Sequence, residues 1–214
     1  GNLSNGAMFP VIESFTGEPI DLAYAEARAR WEPLYEVTQM KGDSETHPFL
    51  SPTDEFANFE IWDKANLDSS TAKTPDMLQF EYARSALKTG LQQEAKLGVN
   101  PYKCGMVGST DAHTSLSTTT EDNFFGKVVP LEPSAHPDRF DEVIAGRFTD
   151  DKSRKSYAWM TSASGLAAVW ARDNTRAALW DAMARKEVFA TSGTRLLVRV
   201  FGGFDFSQKD LDRS

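Results

Sequence analysis

The stretch Tyr102-Lys103-Cys104-Gly105-Met106-Val107-Gly108-Ser109-Thr110-Asp111-Ala112-His113 decides the fold class. Its first half holds the short apolar run Cys104 to Val107, entered from a turn at Asn100-Pro101, and reads as a strand over Tyr102 to Gly108. Its second half sets an aspartate and a histidine two residues apart just beyond that strand. Side chains two apart on an extended segment project to one side, so Asp111 and His113 are expected to share a direction. A carboxylate oxygen beside an imidazole nitrogen suits zinc, iron or manganese.

Working upstream, Thr74-Pro75-Asp76 predicts the start of a long helix, with a capping hydroxyl, proline in its first turn and apolar Met77, Phe80, Leu87 and Leu91 at near-helical spacing. It is expected to end near Gly98. Before it, Asp21 caps a short helix that runs to Trp31 and stops ahead of Pro33. Leu34 to Met40, rich in β-formers, then reads as a strand that enters the polar loop Lys41 to His47. Strand, loop, long helix and second strand in that order predict a parallel α/β unit.

Downstream, residues 114 to 165 are polar and read as loops, which in a compact domain are frequent carriers of binding groups. Lys152, Arg154 and Lys155 read first as a solvated charge run, with a phosphate grip as the sharper alternative. Asp173 or Asn174 is expected to cap a helix that runs through Lys186. Val188 to Thr191 and Arg195 to Phe201 flank Ser192-Gly193-Thr194 and predict a closing β-hairpin with Leu196, Val198 and Val200 on one face. The reading is one domain over residues 1 to 206 and a polar tail over 207 to 214.

Composition narrows the functional classes. A net charge of −8 and a pI near 5.0 argue against a broad nucleic-acid surface, which draws on clustered Lys and Arg. A small phosphorylated substrate would need only a local pocket of positive charge. No run reaches the length of a membrane span, and no charged-then-apolar signal opens the chain, so no membrane partner is expected and the compartment is not readable. The single cysteine, Cys104, excludes an internal disulfide framework and a multi-cysteine zinc site. A chain of 214 residues buries a sufficient core without staples, so a metal here would be functional. A Walker-type phosphate loop, a Gly-x-Gly-x-x-Gly fingerprint, His-Glu-x-x-His and a Gly-x-Ser-x-Gly elbow are all absent from the sequence.

With 17 Asp and 3 His, one Asp-x-His arises often by chance, so context carries the argument. His47 repeats the pattern with Glu45 two positions before it, just past a strand end. The expected catalytic pair is therefore His47, giving a ligand or a proton, and Glu45, orienting it. The bland alternatives stay open: His47 as a lone surface or core histidine, His136 as a loop residue, and Asp111 with His113 capping a turn and binding nothing.

Five blocks resemble a known family: Gly1-Asn2-Leu3-Ser4-Asn5-Gly6, Trp31 to Gln39, Gly108 to Thr114, Glu121 to Lys127, and Glu187 to Gly193. They look like successive blocks of an uncharacterised bacterial family, a domain of unknown function related to the polymerase-and-histidinol-phosphatase (PHP) superfamily of metal-dependent hydrolases. The resemblance implies part of a distorted (β/α) barrel with a C-terminal helix and hairpin. It also implies divalent metal at the carboxyl ends of the strands and phosphoester hydrolysis. Asp111 and His113 match the superfamily's last metal-binding motif, while Glu36, Glu45 and His47 enter only as pocket candidates. The superfamily's opening His-x-His motif has no counterpart here, so the chain is similar to the C-terminal part of a longer enzyme and is expected to lack further ligands.

Two expectations follow. The first is a portion of a metal-dependent hydrolase holding zinc, manganese or iron and acting on a small, phosphorylated substrate. The second is a non-catalytic, truncated or ligand-binding domain that forms homo-oligomers through an open sheet edge.

Overall fold

The computed structural model describes every residue except 14, 117–119, 124, 125, 129–131, 163, 164, 213 and 214. Asp21 opens α1 (Leu22–Trp31), its carboxylate accepting the Tyr24 N–H at 2.8 Å, which satisfies one of the donors a helix start leaves free. The strand β1 (Leu34–Gln39) follows at once and turns Tyr35 and Val37 inward and Glu36 outward, the alternation a half-buried strand requires. The chain then reverses into β2 (Gly42–Asp43), antiparallel to β1. Gly42 makes that turn at φ 96°, a conformation that side-chain-bearing residues adopt only under strain.

The long helix expected from Thr74 to Gly98 is two helices, α2 (Pro75–Leu78) and α3 (Ala83–Leu97). Burial breaks it. Glu81 and Tyr82 are both fully buried, and Tyr82 is extended at φ −107° and ψ 139°. The departure from helical geometry delivers the Glu81 carboxylate to Lys73 Nζ at 2.6 Å, Gly6 N at 2.9 Å and Ser4 Oγ at 3.1 Å. α3 ends as its composition predicts, with Gly98 left-handed at φ 80° and its N–H returned to the Glu94 carbonyl.

β3 (Gly105–Gly108) lies parallel to β1, with Leu34, Tyr35 and Glu36 opposite Gly105, Met106 and Val107. The expected parallel α/β unit is therefore present. Its core is Phe9, Tyr35, Val37, Ala83, Ala86 and Tyr102. Phe9 meets Tyr35 and Tyr102 edge-on at 4.9 and 5.3 Å between ring centres, a geometry that aromatic quadrupoles favour.

Beyond Gly108 the regular elements are short: β4 (Val143–Ala145) paired with β5 (Ser156–Tyr157), then β6 (Leu166–Val169), α4 (Arg176–Ala184) and β7 (Val188–Thr191). β7 pairs antiparallel with β6 from Leu166–Thr191 to Val169–Val188. The predicted hairpin of Val188–Thr191 with residues 195 to 201 is thus not formed, and 195 to 201 has no regular structure. The β6–β7 ribbon lies close against β3: a Cβ built on Gly108 would stand 2.9 Å from Gly165 Cα, and one on Gly105 would stand 2.7 Å from Val188 Cγ2. Glycine in a strand commonly marks such an approach.

The expected PHP-like (β/α) barrel is overturned. The described strands form one three-stranded sheet in the order β2-β1-β3 and two separate two-stranded ribbons, and no barrel closes. Closure needs a continuous ring of paired, tilted strands. Among the described residues β3 has a hydrogen-bonded strand partner only in β1, and β6 and β7 lie against it without joining its sheet.

Candidate functional site

The carboxyl ends of β1 and β3 face the same way, and the loops that leave them carry the candidate side chains. Strand geometry ends at Gly108, and Asp111 sits in the left-handed region at φ 51°, which aspartate tolerates better than most residues. A turn, not an extended segment, therefore brings Asp111 and His113 together, with Asp111 Oδ1 3.1 Å from His113 Nε2. The backbone beyond is fixed by a parallel bridge of His113 to Val128, with the His113 N–H donating to the Lys127 carbonyl at 2.7 Å.

Two lysines converge on the same carboxylate. Lys41 Nζ, from the β1–β2 turn, is 2.5 Å from Asp111 Oδ2. Lys127 Nζ donates to Oδ2 and to the Asp111 carbonyl, each at 2.7 Å, and stands 3.3 Å from His113 Nε2. Burial of the Asp111 carboxyl works to raise its pKa, but the hydrogen bonds and charges of Lys127 and Lys41 outweigh it and hold the group well below the usual carboxylate range. Desolvation lowers the pKa of Lys127, with the Asp111 contact opposing and the Lys41 charge assisting. Two ammoniums against one carboxylate leave one excess positive charge in a chain of net charge −8. The His113 side chain, 56% exposed, is the open face of the cluster.

Glu36 lies on the outward face of β1 and its carboxylate accepts a short hydrogen bond from Ser109 Oγ, just past β3. Glu36, Thr38 and Lys41 border a cavity of about 150 Å³, and the Thr38 hydroxyl is buried there without a partner.

The other expected pair lies in a separate cluster. His47 Nε2 is 3.0 Å from Asp63 Oδ2, and its Nδ1 accepts the Phe49 N–H at 3.0 Å. An Nδ1 that accepts leaves the neutral ring's proton on Nε2, where Asp63 receives it. Asp63, not Glu45, orients His47. Glu45 is instead held by Arg84 at 2.8 Å, and Arg84 also binds Asp54 at 2.6 Å. Burial raises the Asp43 carboxyl to about 7, with the charges of Glu45 and Glu60 adding to it and the hydrogen bond from the Glu45 N–H opposing. Among the described residues, no hydrogen bond or ion pair joins His47 or Glu45 to Asp111 or His113. Arg154, in the charge run, binds Asp151 at 2.9 Å and the Ser70 carbonyl at 2.9 Å, acting as a tether between loops.

Lys41 and Lys127 are the members of the Asp111 site that sequence reading missed. Lys41 stands in no motif and Lys127 closes the Glu121 to Lys127 block, but only the fold brings positions 41, 111 and 127 together. The mixed block Glu121 to Lys127 was a signal for Lys127, but not for its partner.

The donor chemistry of Asp111 and His113 fits two ligands of one ion. Ligands each about 2.1 Å from an octahedral ion and at right angles to each other lie about 3.0 Å apart, close to the 3.1 Å seen here. A third ligand is not in place, since no group of three His, Cys, Asp or Glu converges among the described residues. Nor, among them, is any helix long and apolar enough to cross a membrane.

No curated protein and no solved structure matches this chain. The family described as a protein of unknown function, DUF3604, matches residues 1–214, the whole of its length, and the chain belongs to that family.

Proposed function

We propose that the chain carries the Asp111–His113 portion of the centre of a metal-dependent hydrolase, related to the PHP superfamily and acting on phosphoester-type anions. The observation that carries this reading is the 3.1 Å approach of Asp111 Oδ1 and His113 Nε2, with the Lys127 ammonium already resting against both side chains. A site that accepts a tethered cation there has donors directed at positive charge. Asp111 and His113 would hold the ion. When bound, a divalent metal lowers the pKa of water and polarises the attacked group.

The chain's own groups divide the remaining work. Asp111 is ionised at neutral pH because two lysines hold it so, and it needs no deprotonation before taking a ligand role. Lys41 and Lys127 supply the excess positive charge that draws and orients an anionic head, the preorganised electrostatics that phosphoryl chemistry depends on.

The test pairs metal content with hydrolysis. The chain purified without chelator is expected to bind manganese or zinc and to cleave p-nitrophenyl phosphate in its presence, with Asp111→Ala and His113→Ala each losing metal and at least about 100-fold of activity. Unchanged metal content and rate in both variants would remove the reading.

One observation favours a second reading, an oligomerising non-catalytic domain. Leu196, Leu197, Val200, Phe201 and Phe204 are 66 to 109% exposed along one unpaired segment. Light scattering on the eluting peak decides this: a dimer or larger supports it, and a clean monomer counts against it.

A further inference from the structure

Lys127 belongs to two places at once. Its ammonium binds Asp111, and the residue also walls a cavity of about 300 Å³ bordered by Val128, Arg139, Phe140, Ile144 and Trp159. His113 is bridged to Val128 in that wall and donates its N–H to the Lys127 carbonyl, so the Asp111–His113 pair and the cavity share one piece of backbone.

The cavity's charges are already matched. Arg139 Nη1 binds the buried Glu132 carboxylate at 3.0 Å, and its guanidinium lies over the Phe140 ring at 4.6 Å. The Lys127 ammonium points away to Asp111, whose carboxylate it shares with Lys41, so the excess positive charge lies at that end and not among the aromatic rings. What is left for a ligand is an apolar, aromatic lining in which Phe140 and Trp159 remain 50 and 61% exposed. Its size suits a ring system: a cavity of about 150 Å³ accepts benzene, and small-molecule sites begin at about 300 Å³.

We propose that this cavity is the leaving-group subsite of the centre described above, taking the aryl group of an anionic ester whose charged head sits at Lys41, Lys127 and His113. The inference rests on the hydrolase reading for its chemistry. Water oxygen bonds to phosphorus, the phosphorus–oxygen bond to the aryl group breaks, and the aryl oxygen keeps the electron pair and then takes a proton. A phenolic oxygen ionises near pH 10, so it departs with less protonation than an alkoxide. That suits a cavity whose one described carboxyl group, Glu132, is engaged by Arg139.

Phenylphosphonate and methylphosphonate share a head group and resist hydrolysis, so binding can be read apart from catalysis. Titrated calorimetrically into the 214-residue chain, phenylphosphonate is expected to bind at least about ten-fold tighter. Trp159→Ala should abolish that preference while leaving methylphosphonate affinity within about two-fold, since Trp159 is largely exposed and its loss is tolerated by the fold. Equal affinities, no binding of either ligand, or a preference that survives in both Trp159→Ala and Phe140→Ala would overturn the subsite. The hydrolase reading fails separately: a chain without metal or activity that still prefers phenylphosphonate through Trp159 keeps the subsite as a binding site for aryl anions.

Discussion

The two halves of this chain, divided at the end of β3, are built differently. Of the fifteen apolar side chains buried among the described residues, fourteen lie at or before Tyr102, and only Ala182 lies beyond. The first half interlocks β1 and α3 around Phe9, Tyr35 and Tyr102, and the Lys73–Glu81 pair is buried in the same half. The second half is short ribbons and one helix whose apolar residues largely face outward, Phe201 at 68% and Leu197 at 83% exposed. The difference teaches that stability and chemistry are separated: the first half is a platform, and the candidate site sits at the seam where loops of the second half return to it. Asp111 and Lys127 come from beyond the seam, and Lys41 comes from before it.

The sharpest way to break this comparison is to cut the platform's buried ion pair. Lys73 and Glu81 side chains are 4 and 0% exposed, so Lys73→Met strands a carboxylate in the interior. The expected loss is about 3–5 kcal/mol by chemical denaturation. A loss below about 1 kcal/mol would mean that water reaches Glu81 and that the first half is not the rigid part.

Protonation sharpens it next. The folded Asp43 carboxyl is raised from 3.8 to about 7, with burial as the main cause. Because the folded state holds this proton more tightly than the unfolded chain does, the contribution is full below about pH 4 and is lost as pH rises through about 7. Stability should decline across that window by a few kcal/mol at most, and Asp43→Asn should flatten the decline. An unaltered slope in the variant would assign the pH dependence to other groups.

The smallest effect is expected in the second half. Leu197→Ser and Phe201→Ser should each change stability by no more than about 0.5 kcal/mol, as surface positions do. A loss of about 2–5 kcal/mol would show that this segment is packed in solution, and the contrast between halves would collapse.

How much of this was legible in the sequence follows the same division. The first half obeys local rules: Asp21 caps its helix, β1 alternates, and Gly98 ends α3. The break between α2 and α3 was not legible, because it is imposed by burial of Glu81 against Lys73 and against Ser4 and Gly6, the last two far away in sequence. The pairing of β7 with β6 was missed because 195 to 201 has the stronger β-pattern, while Leu166–Val169 is a short run of small and aliphatic residues. The barrel expectation came from family resemblance and fell with the strand pairing. At the site, proximity of Asp111 to His113 was readable from spacing, though through the wrong backbone geometry. The pairing of the two lysines with Asp111 was not readable, since a charge pair formed across more than fifteen residues leaves no local signature.

The most direct test of the central claim watches His113 itself. With only three histidines in the chain, the imidazole nitrogens of His47, His113 and His136 can be followed separately by nitrogen-15 NMR as zinc is added. The account predicts that the His113 Nε2 signal moves first and saturates at one equivalent, that His47 and His136 stay in place, and that Asp111→Asn abolishes the shift. A titration in which His113 does not move, or moves only together with the other two, would contradict it.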